Sequence, residues 1–137
     1  MSTFIDTSGV LAVLDGDDRF HEEASEVWAE LVRSQEPLFT TNYAVVELTA
    51  VVQRRLGMTA VGRLCDSFVP GMAVVFVDAT VHDRAVSALL AASRRPLSLV
   101  DCTSFAIMRG LGISRVFTFD HHFAEQGFEA IPKPSSP

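Results

Sequence analysis

Short runs of β-branched and aromatic residues alternate along this chain with longer apolar patterns of helical spacing, and that alternation admits few folds. Thr3 to Ile5 is a strand-like run, followed by Thr7 to Leu14 with helical spacing and a polar stop at Asp15-Gly16-Asp17-Asp18. His21 to Ser34 places Ala24, Val27, Trp28 and Leu31 on one stripe, so it predicts an amphipathic helix. Leu38 to Thr40 predicts a second strand. Thr41 or Asn42 can cap an apolar helix reaching Leu56, Gly57 stops it, and Thr59 to Phe68 predicts another helix, ended by Pro70-Gly71. Val74 to Val77 is the third strand, Thr80 to Ser93 and Ser98 to Leu111 are helices, and Arg115 to Phe119 is the fourth strand. A helical turn at His121 to Glu125 leads to a possible fifth strand, Phe128 to Ile131.

Strands joined by crossover helices form a parallel sheet covered on both faces. The expectation is therefore an α/β fold: one domain over residues 1–131, with a parallel sheet of four to five strands sandwiched between helices. Residues 132–137, rich in Pro and Ser, read as a disordered tail. A length of 137 residues with 48% apolar and 20% charged residues suits one well-cored domain. The longest apolar run, Met72 to Val77, is far too short to span a membrane, and the first residues do not read as a secretory signal. A cytoplasmic protein without membrane association is expected. Cys65 and Cys102 lie in helical patterns without metal-ligand spacing and read as free buried thiols.

Four carboxylates stand at turns from strand to helix or in a helix's first turns: Asp6, Glu47, Asp101 and Asp120. In a parallel sheet the binding crevice lies at the carboxyl ends of the strands. Asp6 and Asp120 directly follow the first and fourth strands. Asp101 begins a helix that descends about as far as the next strand rises, roughly 17 Å, so it shares their edge. Glu47 lies in the second turn of the helix after the second strand, with no other ionised side chain until Arg54. Each acid also has a plain reading. Asp6 and Asp120 can be helix caps, Ser98-Leu99-Val100-Asp101 matches a capping box, and Glu47 can be a solvated helix residue. Asp78, after the third strand, reads as a cap. Gathered acids would repel one another unless a divalent cation sat among them.

The set of motifs resembles a family, the PIN domain, and within it the VapC-type ribonuclease toxins of type II toxin–antitoxin systems. The resemblance spans Phe4-Ile5-Asp6-Thr7-Ser8, Val46-Glu47-Leu48, Leu97-Ser98-Leu99-Val100-Asp101 and Val116-Phe117-Thr118-Phe119-Asp120-His121-His122-Phe123. It implies that Asp6, Glu47, Asp101 and Asp120 form an acidic quartet holding Mg²⁺ or Mn²⁺, with hydroxyls of Ser8 and Thr118 supporting the carboxylates. It implies metal-dependent endoribonuclease activity on RNA phosphodiester bonds, a cognate antitoxin protein as partner, and a homodimer. Whether Glu47 binds metal or orients water stays open. Many relatives carry an acid where this chain has His122.

A net charge of −6 argues against an extended phosphate-binding surface, although a cation among the acids would invert the local field. Arg54-Arg55 and Arg94-Arg95 can grip phosphates or complement helix ends. His121 and His122 read as surface or capping residues, His21 and His82 as ordinary helix residues, and Trp28 as core. The apolar segments from Val45 to Leu64, with Val51, Val52, Leu56, Met58, Val61 and Leu64, offer a pairing surface. Alternatives are a solitary PIN-domain nuclease without antitoxin, or an Mg-binding phosphoacceptor signalling domain; the latter normally needs a lysine near its acids, and the one lysine here is Lys133.

Overall fold

The computed structural model describes residues 1–134. Five strands, β1 (Thr3–Ile5), β2 (Leu38–Thr41), β3 (Ala73–Val75), β4 (Arg115–Phe117) and β5 (Glu129–Ile131), form one sheet in the order β3-β2-β1-β4-β5. Every pairing is parallel. The chain winds outward from β1 to β3, then returns to the other side of β1 to lay down β4 and β5. The winding direction thus reverses between β1 and β4, the switch point at which sheets of this kind place their binding sites.

The helices are α1 (Thr7–Leu14), α2 (His21–Ser34), α3 (Asn42–Leu56), α4 (Met58–Arg63), α5 (Ala79–Ala92), α6 (Leu99–Leu111) and α7 (His122–Glu125). Successive strand residues face opposite sides, so Phe4 and Val116 enter one core and Ile5 and Phe117 the other. The first core packs Phe4 and Val116 of the sheet against Ala85, Phe105, Met108 and Phe123 from α5, α6 and α7. Ile5, Val10, Ala24, Leu48, Val52, Leu64 and Phe117 make up the second, with Trp28 packed on its flank beside Phe68 and Phe117. α1 lies very close to the sheet. A Cβ on Gly9 would stand 2.8 Å from the Phe117 ring, so only glycine permits this approach without a shift in the core.

Most expected elements are present, with two instructive departures. The helix expected over Thr59 to Phe68 is α4 followed by a π-helical turn, Leu64–Phe68, which runs into a 3-10 turn, Val69–Gly71. That wider turn buries both Leu64 and Phe68. β3 and β4 are each two residues shorter at their carboxyl ends than the sequence suggests. Beyond β4 the Thr118 and Phe119 backbone leaves the ladder toward β1, and Phe119 N donates to Ser8 Oγ (2.9 Å). Cys102 is buried as expected, but Cys65 is exposed. It lies in the π-helical turn, whose buried positions are Leu64 and Phe68, so the thiol falls on the outer side.

Candidate active site

Asp6 leaves β1 with an extended backbone and caps α1, accepting from Ser8 N (3.4 Å). Ser8 Oγ and Thr118 Oγ1 both donate to its Oδ2 at 2.8 Å. Among the described residues, every hydrogen bond to this carboxylate reaches Oδ2, which leaves Oδ1 unengaged. Asp120 N donates to Thr118 Oγ1 (2.9 Å), and His122 N donates to Asp120 Oδ1 (2.9 Å). One continuous network therefore joins the ends of β1 and β4.

Asp101 is the third residue of α6 and completes a capping box. Asp101 N donates to Ser98 Oγ (3.0 Å), and Ser98 N donates to Asp101 Oδ2 (3.0 Å). This fixes one carboxylate oxygen and leaves Oδ1 outside the box. Glu47 sits half-buried in α3, whose start is set by Thr41 Oγ1 accepting from Ala44 N (3.0 Å).

The electrostatics tie the four acids together. Burial, chiefly, pushes Asp6 from 3.8 up to about 6; the Thr118 and Ser8 hydrogen bonds oppose this, and the charges of Asp101 and Asp120 add to it. Glu47 is also held above its ordinary range, first by burial and then by Asp101 and Asp120, while the Thr7 hydroxyl opposes this. Thr7 Oγ1 acts from beyond hydrogen-bond range, since this buried atom has no hydrogen-bond partner. Asp101 is raised by burial and by Asp120, against the Ser98 backbone bond and the nearby His122. Asp6 and Asp101 are only 5% and 8% exposed. Carboxylates are seldom buried without a compensating partner, and here no Lys or Arg forms an ion pair with any of the four among the described residues. The residues fit a hard divalent cation: their donor atoms are carboxylate oxygens, and the missing ingredient is positive charge.

Of the two adjacent histidines, one departs from expectation. His121 is exposed, but His122 is buried, 3% exposed, because α7 lays it and Phe123 against the sheet. His122 Nδ1 has no hydrogen-bond partner, and Nε2 lies 3.4 Å from the Pro96 carbonyl oxygen. Ligand atoms of Asp120, His121 and His122 lie within 4.8 Å of one another, closer than any four-acid grouping among the described residues. The sequence marks His122 as standing where many relatives carry an acid, but its burial has no local signal beyond its place one residue before Phe123.

Asp78 caps α5 through Val81 N (2.9 Å) and is exposed. Arg54 and Arg55 occupy the last turn of α3, and Arg94 pairs with Glu125 (3.0 Å). His82 is more than a plain helix residue: its Nδ1 lies 2.6 Å from Tyr43 Oη and links α5 to α3.

A family model described as the PIN domain matches residues 3–129. The 23S rRNA-specific endonuclease VapC20 of Mycobacterium tuberculosis is 33% identical over 130 residues, which cover 93% of this chain and 96% of that protein. The crystal structure of M. tuberculosis VapC20, described as a Sarcin-Ricin loop cleaving toxin, superposes with a TM-score of 0.81 at 32% identity, covering 92% of this chain and 95% of that one. The crystal structure of FitAcB from Neisseria gonorrhoeae shares the fold, with a TM-score of 0.68 at 18% identity over 95% of this chain and 96% of that chain. With its sheet order, its switch-point acids and these matches, the chain belongs to the PIN-domain family.

Proposed function

We propose that this protein is an Mg²⁺- or Mn²⁺-dependent endoribonuclease that hydrolyses RNA phosphodiester bonds and acts as the toxin of a toxin–antitoxin pair. The observation that carries this reading is the convergence of Asp6, Glu47, Asp101 and Asp120 on the switch point, where burial first, and the charge of Asp120 with it, hold Asp6, Glu47 and Asp101 above the ordinary carboxylate range with no Lys or Arg paired to any of the four among the described residues. The likeness to an rRNA endonuclease over nearly the whole chain supports RNA as the substrate class.

Asp6, Asp101 and Asp120 would hold the cation, with Glu47 beside them. When bound, it would supply an activated water and neutralise charge on the phosphoryl oxygens. The chain's own contribution is position. Ser8 and Thr118 lock the Asp6 carboxylate through Oδ2, the Ser98 box locks Asp101, and the His122 N–H orients Asp120. Glu47, half-buried beside them, either joins the cation's ligands or orients the attacking water.

The cognate antitoxin belongs to the same reading, as does action in the cytoplasm. No helix among the described residues is long and apolar enough to cross a membrane. A homodimer is also part of the proposal. Its surface is narrower than the sequence suggests, because Val52 and Leu64 are fully buried, and Val46, Met58 and Phe76 remain exposed at 68%, 64% and 75%. Light scattering at micromolar concentration tests it, and a monomer removes it.

Activity is tested by RNA cleavage with purified protein and its Asp6→Asn variant at saturating Mn²⁺. Cleavage by wild type alone, with both proteins folded, supports the reading; equal cleavage by the two sinks the quartet. Chelator should lower the melting temperature of wild type more than that of Asp6→Asn, because the cation stabilises only the state that binds it.

A further inference from the structure

An apolar recess of about 170 Å³ borders Asp120 and His121 where β4 and β5 end. Phe119 and Phe20 form one wall, their rings parallel to within 5° and 4.5 Å apart, and the Arg19 guanidinium lies 4.5 Å over the Phe20 ring. Pro132 also lines it, and the charged groups at the recess are Glu23, Asp120 and Lys133, the one lysine of the chain. A phosphate would be repelled there by Glu23 and Asp120. A flat heteroaromatic ring is suited to it: its face can stack on an aromatic side chain, its N–H groups can be accepted by a carboxylate, and its own phosphate can reach an ammonium at the rim.

We propose that this recess receives one unpaired nucleobase of the RNA, from the nucleotide adjoining the phosphodiester held at the carboxylates. The base packs against the stacked Phe20–Phe119 pair, Glu23 accepts from it, and Lys133 contacts the phosphate on its far side. This rests on the ribonuclease reading and deepens it, because the recess then selects where the strand is cut. A base paired in a duplex cannot enter, so the preferred substrate is a loop or single strand.

The test uses the full chain, with Phe119→Leu and Lys133→Ala, and two readouts. Binding of the four nucleoside 5′-monophosphates is measured by saturation-transfer NMR in chelator. Cleavage of an RNA hairpin cut by wild type is measured with intact RNA and with RNA made abasic at either nucleotide flanking the cut. At least one monophosphate should bind, and Phe119→Leu should weaken it about tenfold. Lys133→Ala should lower the salt dependence of RNA binding by about one counterion. One abasic RNA should show a KM raised about tenfold with kcat nearly unchanged. If Phe119→Leu does not fold, Lys133→Ala and the abasic RNAs decide. Normal KM for both variants and both abasic RNAs overturns the recess and leaves the ribonuclease reading standing. Monophosphate binding that depends on Phe119, without RNA cleavage by wild type, supports the recess and sinks the ribonuclease reading.

Discussion

Asp6 and Asp78 perform the same local task in two regions of the molecule, and their surroundings differ completely. Each follows a parallel strand, adopts an extended backbone and accepts a hydrogen bond from an amide of the helix it caps. Yet Asp6 is 5% exposed and takes a further bond from Thr118, 112 residues away, whereas Asp78 is exposed and the one hydrogen bond to its side chain among the described residues comes from its own helix. The difference is topological. β1 is the middle strand beside the reversal of winding, so the chain ends of β1 and β4 converge on Asp6, while β3 is an edge strand with no neighbour beyond it. Capping chemistry makes a helix start; position in the sheet makes a site.

The largest effect expected from this contrast is on cleavage. Asp6→Asn should lower RNA cleavage by about 10²- to 10³-fold, while Asp78→Asn, which keeps a good capping side chain, should stay within about twofold of wild type. Comparable losses in both would erase the distinction. Asp101 combines the two roles, because it completes a capping box and belongs to the cluster. Asp101→Glu keeps a box-forming residue but shifts the carboxylate by a methylene, so cleavage should fall about 10²-fold with the melting temperature nearly unchanged. A stable and fully active variant would reduce Asp101 to a cap.

Next in size is a pH effect on the metal-free protein. Asp6 binds its proton more tightly when folded, with a pKa of about 6 against 3.8. Its protonated form therefore favours folding at low pH, and this contribution is lost as pH rises from about 3.8 through about 6. Urea unfolding in chelator should show wild type losing about 2 kcal/mol relative to Asp6→Asn between pH 4 and pH 7. Parallel pH profiles would mean that Asp6 is not strained by its surroundings. Glu47 and Asp101, also raised, contribute in the same direction in both proteins.

Smaller still, Thr118→Val should weaken Mn²⁺ binding about tenfold, measured by calorimetry, because it removes a donor that orients the Asp6 carboxylate. An unchanged affinity would make the Ser8 bond sufficient alone. Asp78→Ala should cost about 1 kcal/mol of stability and leave metal affinity as it was.

Local chemistry was legible along the chain. Alternating strand and helix patterns announced the layered parallel sheet, Gly112 marked the end of α6 in the left-handed conformation, and Ser98 with Asp101 marked its start. The four acids could be singled out because each sat where a strand hands over to a helix or just inside one. Side-chain surroundings were less legible. His122 looked like a surface residue because a four-residue helix has too little periodicity to reveal which face it buries. Cys65 is a related case: a regular α-helical period places it inward, but the segment widens to a π turn and carries the thiol to the outer side. The apolar helical segments near Leu64 seemed to call for a partner, but the core of this same chain absorbs Val52 and Leu64.

The sequence by itself determined the elements, their caps and the identity of the acids, since these depend on neighbours within a few residues and on hydrophobic period. Only the tertiary structure decided that Thr118 would reach Asp6, that Asp101 would feel Asp120, and that Phe20 would stack on Phe119 beside them. The first and last of those contacts join residues about a hundred positions apart, the Asp101–Asp120 pair spans a helix and a strand, and burial sets their energetics. Burial is a property of the packed sheet and its winding, and no short stretch of sequence contains it.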